Sequence, residues 1–369
     1  MTAGAALRLV IAGGGTGGHL YPALAIADEI RRRHPDADIV FVGTRGKIES
    51  RVVPGRGYRF VTIWISGMSR RLSAGMLLFP LKVVVALIQS VHIVRKIKPD
   101  VVIGTGGYVC GPVVAAAQML GKRTLIQEQN SVPGATTRML APRADEVHIA
   151  FEGSTAYLHR HDNVRLTGNP TRDRIGSVNR SVGSQAFGLD PAKTTLLVFG
   201  GSRGASSINA AVASLAPDLD KGGVQILWQT GKEDFEHFSA LFGELSERIK
   251  MYPFIENMEN AYAACDLAVC RSGASSIAEL TRAGVPSVLI PYPHAAADHQ
   301  TENARAIAAA GAGFLLPDGE AGRLLGDTVR RLLSDRVRLA AMAGAARRLG
   351  KPGAAGVLAD AVEQLARVH

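Results

Sequence analysis

The sequence predicts an α/β protein of two domains, each built on a parallel sheet. Three observations carry this expectation. Apolar, β-rich runs alternate with alanine-rich helical stretches along all 369 residues. Unbroken apolar runs suit strands covered on both faces, as parallel sheets require. A strand–glycine–helix unit occurs twice, as LRLVIA-GGGTGGH-LYPALAIADEIRRR from Leu7 and as TLLVF-GGSRGASS-INAAVASLA from Thr195. The polar glycine loops also gather at the carboxyl ends of the expected strands, where open parallel sheets bind ligands.

Strands are expected at Leu7–Ala12, Ile39–Gly43, Val101–Gly104, Thr124–Gln127, Glu146–Ala150 and Val164–Thr167. A second set is expected at Thr195–Phe199, Gln225–Gln229, Met251–Phe254, Leu267–Cys270 and Ser287–Ile290. The stretch GNPTRDRIG, Gly168 to Gly176, separates the sets, because Asn169-Pro170 breaks regular structure. The expected domains are residues 1–170 and 171–353.

Composition is that of an ordinary globular chain, 47% hydrophobic and 20% charged. The net charge of +10 is uneven: residues 1–172 hold 22 Lys and Arg against 11 Asp and Glu, while the remainder holds 20 against 21. The first domain should therefore favour an anionic surface or ligand. Aromatic residues are only 5%, which argues against base-stacking platforms and hence against nucleic acid. Cys110, Cys265 and Cys270 have no C-x-x-C spacing and fit a reducing compartment. The first apolar run is too short for a secretory signal, and no segment reaches the ~18 apolar residues of a membrane span. SAGMLLFPLKVVVALIQSVHIVRKIK comes nearest, but Pro80, Lys82 and Gln89 interrupt it.

Gly13 to His19 strips side chains from a strand-to-helix turn, so its free N–H groups and the helix dipole favour anions. The spacing Gly13-x-Gly15-x-x-Gly18 also satisfies the dinucleotide pattern. That pattern needs an acid at the end of the second strand, and IVFVGT ends in Gly43 and Thr44. A nicotinamide or flavin site is not expected, and a P-loop lacks its lysine. His19 opens the helix after the turn. It reads either as a capping or packing histidine or as a general base that the helix N-terminus helps keep neutral.

DLAVCRSGASSIAELTRAG, Asp266 to Gly284, is a strand, a turn and a helix start that can hold a diphosphate. Glu279, about one turn into that helix, can accept two hydrogen bonds from a ribose diol. Ser276-x-x-Glu279 equally fits a capping box. In PYPHAAADHQTENA, His299 and Gln300 are either sugar ligands or ordinary caps. Asp36-Ala37-Asp38 precedes a strand, at the wrong end of the sheet for a metal-sugar site, and reads as a turn. No metal-ligand cluster is evident. Leu72 to Val94, with Arg70, Arg71 and Lys82 beside Met76, Leu77, Leu78, Phe79, Leu81 and Val83 to Val85, is either a buried amphipathic helix or a membrane-surface patch. The positive first half favours the patch.

Taken together, GGGTGGHLYPALA, PDVVIGTGGYVCGP, EQNSVPG, GNPTR, FGGSRGASSIN, CRSGASSIAEL and DHQTENA resemble a bacterial peptidoglycan glycosyltransferase family over nearly the whole length. Its members add N-acetylglucosamine to undecaprenyl-diphospho-muramoyl-pentapeptide, converting lipid I to lipid II. The resemblance implies a GT-B architecture of two Rossmann-like domains around a cleft. The C-terminal domain would hold the UDP-N-acetylglucosamine donor and the N-terminal domain the lipid acceptor, with a last helix near Ala354 to Val368 packing back onto the N-terminal domain. It implies donor contacts at Thr16, Gly17, Gly18, Asn130, Arg172, Ser202, Ile255, Ala274 and Glu279, with Gln300 or His299 near the sugar. The reaction would be an inverting, metal-independent transfer without a cofactor, with His19 or a carboxylate taking the acceptor's proton. The expected location is peripheral, on the anionic cytoplasmic face of the cell membrane.

Overall fold

A computed structural model describes residues 6–67, 78–201, 204–242 and 246–367. The chain divides into two units, Met1–Thr171 with Gly353–His369, and Arg172–Pro352.

The first unit is a seven-stranded parallel sheet in the order β3-β2-β1-β4-β5-β6-β7. Its strands are β1 (Arg8–Ala12), β2 (Asp38–Gly43), β3 (Arg59–Thr62), β4 (Val101–Gly104), β5 (Arg123–Glu128), β6 (Glu146–Ile149) and β7 (Val164–Leu166). The alternation along β1 explains both faces. Leu9 and Ile11 pack on Leu24 and Ile30 of helix α1 (Gly17–Arg33) and on Leu358 and Val362 near the C-terminus. Val10 and Ala12 face the other way, into a core with Ile93, Val113 and Val114.

The C-terminal segment Ala354–Arg367 is helical and joins this unit. Polar contacts at the end of α1 hold it: Glu363 lies 3.2 Å from Arg33 and 3.1 Å from His34. Asp36-Ala37-Asp38 forms the turn into β2, and Asp38 pairs with Arg59 on the neighbouring strand.

The second unit has six parallel strands in the order β10-β9-β8-β11-β12-β13. They are β8 (Thr195–Phe199), β9 (Gln225–Gln229), β10 (Ile249–Tyr252), β11 (Leu267–Cys270), β12 (Ser287–Leu289) and β13 (Gly313–Leu315). Trp228, fully buried on β9, packs in a core with Leu196, Ile208 and Val212, and its ring N–H donates to Asn209 at 3.0 Å. In each unit the chain runs outward through three strands and then returns to the other side of the first. The strand order therefore reverses between β1 and β4, and again between β8 and β11. Such reversals open a crevice at the carboxyl ends of the strands.

Two edge strands, β3 and β13, escape the sequence pattern. Both are short and only partly buried, so they lack the apolar run that marks the central strands.

Candidate active site

The first glycine turn leaves β1 at its reversal point. It is not an empty cradle. The carboxylate of Glu49, fully buried, accepts from the Gly15 N–H at 3.0 Å, the Thr44 N–H at 3.2 Å and the Thr44 hydroxyl at 2.9 Å. This corrects the expectation that the turn's N–H groups are all free: the chain supplies its own anion at Gly15. Glu49 begins a short helix, Glu49–Gly55, reached from the end of β2. The acid missing from the end of β2 thus sits in the following loop and faces the glycines.

The glycines also let two loops interlock. A Cβ at Gly13 would lie 1.9 Å from the Thr105 hydroxyl, and one at Gly107 would lie 2.5 Å from the Gly14 carbonyl. The loop after β4 therefore lies against the loop after β1, which no larger residue permits.

His19 is held in that junction. The Thr105 hydroxyl donates to the His19 carbonyl at 2.8 Å. The ring rests against Gly106, where a Cβ would come within 2.7 Å of Nδ1. Nδ1 lies 2.8 Å from Gln129 Oε1 and 3.1 Å from the Thr105 carbonyl. Thr16 is the extended residue before α1, and its side chain makes no capping bond. Gly17 and Gly18 open the helix, so their N–H groups have no intrahelical acceptor. Asn130 is tied to Glu128 through its backbone N–H at 3.0 Å, and Glu128 also receives the Gly134 N–H and the Thr137 hydroxyl. Glu128 thereby shapes the loop that presents Asn130.

In the second unit the turn after β8 contains Gly200, Gly201 and Gly204, while Ser202 lies outside the described residues. Gln229, at the end of β9, donates to the Gly201 carbonyl at 2.9 Å and accepts from the Ile255 N–H at 2.8 Å. Any ligand contact from Ile255 therefore falls to its carbonyl or side chain. The helix Ala274–Ala283 starts at Ala274 after an extended Gly273, with no side-chain cap. Glu279 is its sixth residue, too deep for a capping box.

Instead, the Glu279 carboxylate accepts from the Tyr262 hydroxyl at 2.9 Å and faces Arg172 at 3.5 Å. Arg172 also donates to the Glu256 carbonyl at 3.0 Å. Burial pushes the Glu279 carboxyl above the usual range, against the pull of Arg172 and the Tyr262 hydroxyl. Burial likewise raises Tyr262, which stays a hydrogen-bond donor at neutral pH. Gln300 accepts the Tyr292 N–H at 2.9 Å through Oε1, which leaves its NH2 as a donor. The His299 ring is held by the Ala296 carbonyl at 2.6 Å. Between them Ala297 and Asp298 both adopt left-handed φ, 50° and 51°, a strained path for non-glycine residues.

The residues that sequence reasoning passed over are Glu49, Gln129 and Tyr262. Gln129 stood in plain sight within EQN. Nothing local marks Tyr262, which lies 17 positions before the carboxylate it holds.

Of the segment Leu72 to Val94, residues 72–77, with Met76 and Leu77, lie outside the described residues, as do Arg70 and Arg71 before it. The helix Phe79–Ile97 turns Ala86, Ser90, Ile93 and Val94 inward. It leaves Leu81, Val84 and Ile88 exposed, with Lys82 5.8 Å from the exposed Trp64 ring. Among the described residues no helix is long and apolar enough to cross a membrane, and no group of His, Cys and carboxylates could hold a metal.

Two parallel-sheet units, each with a glycine turn at its strand-order reversal, define the GT-B class of glycosyltransferases. The model of the glycosyltransferase family 28 N-terminal domain matches residues 9–149, and that of its C-terminal domain residues 195–358. A protein of Chlorobaculum tepidum, named UDP-N-acetylglucosamine--N-acetylmuramyl-(pentapeptide) pyrophosphoryl-undecaprenol N-acetylglucosamine transferase, is 47% identical over 98% of this chain and 100% of its own length. A protein of Chlorobium luteolum with the same name is 46% identical over the same shares. The crystal structure of Acinetobacter baumannii MurG superposes with a TM-score of 0.78 at 29% identity, over 97% of this chain and 99% of that one. The chain belongs to this family of N-acetylglucosamine transferases.

Proposed function

We propose that the protein transfers N-acetylglucosamine from UDP-N-acetylglucosamine to the 4-hydroxyl of the muramoyl sugar of undecaprenyl-diphospho-N-acetylmuramoyl-pentapeptide, with inversion. The full-length likeness to transferases named for this donor group and acceptor carries the reading. The first unit takes the acceptor and the second the donor. The acceptor O–H bond breaks as its oxygen bonds the anomeric carbon, and the proton passes to the His19 imidazole. The anomeric carbon–phosphate oxygen bond breaks with its electron pair, and UDP leaves. A sugar hydroxyl is too weak an acid to react unaided at neutral pH, so the base matters.

Glu279 holds the ribose diol of the donor, with Arg172, Ser202, Ile255 and Ala274 around it and Gln300 near the sugar. Thr16, Gly17, Gly18 and Asn130 complete the donor contacts. The free amides at the helix starts take up the charge that develops on the leaving diphosphate. Leu81, Val84, Ile88 and Trp64, with Lys82 and the basic pair Arg70 and Arg71, rest on the anionic cytoplasmic face of the membrane.

The test is UDP release from UDP-N-acetylglucosamine with a short-chain lipid I analogue. Release that requires the acceptor is expected; none with acceptor present overturns the reading. His19→Ala should lower kcat by about 10²- to 10⁴-fold while donor affinity stays near normal. Near-normal turnover would remove His19 as the base. Co-sedimentation with anionic phospholipid vesicles should fall when Arg70, Arg71 and Lys82 are reversed to Glu; unchanged binding rejects the electrostatic part of the membrane contact.

A further inference from the structure

We propose that Gln129 is a positioning residue: it fixes the proton of His19 on Nδ1 and so presents Nε2 with its lone pair free. The proposal rests on the reading of His19 as the base.

The argument is one of hydrogen-bond direction. Nδ1 has two neighbours, Gln129 Oε1 at 2.8 Å and the Thr105 carbonyl at 3.1 Å. A carbonyl only accepts. The Gln129 amide could in principle turn its NH2 toward the ring, which would force Nδ1 to accept and place the proton on Nε2. The surroundings forbid that rotation. The Gln129 NH2 donates to the Thr105 carbonyl at 2.8 Å and to the Gln127 carbonyl at 3.0 Å. Turned over, Oε1 would meet two carbonyl oxygens with no proton between them.

A third acceptor, Gln127 Oε1, receives the same NH2, and the Gln127 NH2 donates onward to Asn169 Oδ1 at 3.4 Å. The bonds therefore run one way, from His19 through Gln129 and Gln127 to Asn169. The line ends at the Asn169 NH2, a buried group without an acceptor among the described residues. Gln127, Gln129 and Asn169 are all buried, 0%, 1% and 4% exposed, so water does not scramble the order.

An amide in this place differs from the carboxylate that orients many catalytic histidines. It sets the tautomer by hydrogen-bond direction alone, without bringing a second charge to the ring. The result is a base that points its free nitrogen away from the relay.

The experiment is nitrogen-15 NMR of the histidine side chains in the whole protein, with the His19 signals assigned by their loss in His19→Gln. Wild-type His19 should show the Nδ1–H tautomer. In Gln129→Leu only the longer bond to the Thr105 carbonyl still holds the Nδ1 proton, so the Nε2–H form should gain population, and kcat should fall about 10- to 100-fold with the donor KM little changed. A wild-type ring protonated on Nε2 overturns the proposal, and so does a Gln129→Leu protein with unaltered tautomer and kcat. Should Gln129→Leu fail to fold, the wild-type spectrum decides alone: Nδ1–H supports the proposal and Nε2–H overturns it. Normal turnover in His19→Ala would sink the base reading while leaving the tautomer result standing.

Discussion

The two glycine turns occupy equivalent places in two similar sheets, yet among the described residues only the first holds a carboxylate of its own chain. In the first, the Gly15 N–H is bonded to a buried carboxylate of the same chain, Glu49. In the second, Gln229 engages the Gly201 carbonyl, and a Cβ at Gly201 would meet nothing within 4 Å. A strand–glycine–helix turn therefore does not by itself make an anion site. What the carboxyl end of the neighbouring strand puts against it decides. Beside β1 that is Glu49, the first residue of the helix after β2. Beside β8 it is Gln229, the last residue of β9, which donates to the Gly201 carbonyl of the turn.

Removing the internal anion should have the largest effect on stability. Glu49→Ala strands three donors, the Gly15 and Thr44 N–H groups and the Thr44 hydroxyl. Relief of the buried charge offsets part of that loss. A net destabilisation of about 2–4 kcal/mol is expected in urea unfolding. A stable Glu49→Ala protein would mean that the first turn does not need its own carboxylate. Glu279→Ala should behave differently. Its stability should fall by less, about 1 kcal/mol, because only the buried Tyr262 hydroxyl is stranded while a desolvated carboxylate is relieved. Donor KM should rise by about 10- to 100-fold, the worth of a charged hydrogen-bonding group to a ligand. Unchanged donor affinity would sink its ribose role.

A matched glycine pair sharpens the contrast at smaller cost. Gly15 and Gly201 both have left-handed φ, 84° and 92°. Alanine should cost each about 1 kcal/mol in backbone strain. At Gly15 the methyl also runs into the Tyr108 ring, 2.9 Å away, so Gly15→Ala should be the less stable protein. At Gly201 no atom of the described residues lies within 4 Å of the added methyl, so Gly201→Ala should fold nearly as well and lose donor affinity instead. Equal effects on stability and affinity at both sites would erase the distinction between the two turns.

The central strands and the doubled turn were legible because buried parallel strands must be apolar throughout, and because polar glycine loops gather at one end of such sheets. Edge strands β3 and β13 were not, since partial burial relaxes that demand. Among the site residues, His19 and Glu279 stand out by type and place. Their supports do not. Glu49, Gln129 and Tyr262 act through contacts that only the folded chain creates: Gln129 meets His19 across 110 positions, from the loop after β5 to the start of α1. The capping-box pattern at Ser276-x-x-Glu279 misled for the related reason that spacing is silent about where a helix begins. It begins at Ala274, and the glutamate is left to face Tyr262 and Arg172.

The smallest effect concerns that contact. Burial raises the Glu279 carboxyl, and the Tyr262 hydroxyl partly counters the rise by donating to the charged form. Only the ionised carboxylate can accept both hydroxyls of a ribose. Donor affinity should therefore be full above the raised value and fall as pH drops through it, at a higher pH than an ordinary carboxylate would give. Tyr262→Phe removes a donor to the charged form and so moves the midpoint further up. Donor binding should weaken by about threefold at neutral pH, within the range of one hydrogen bond, and by more in mildly acidic buffer. UDP titrations by calorimetry from about pH 5 to pH 8 would show it. The second unit would then carry a carboxylate whose protonation is read out in donor binding. A midpoint that stays put in Tyr262→Phe would show that Arg172 alone keeps Glu279 ionised.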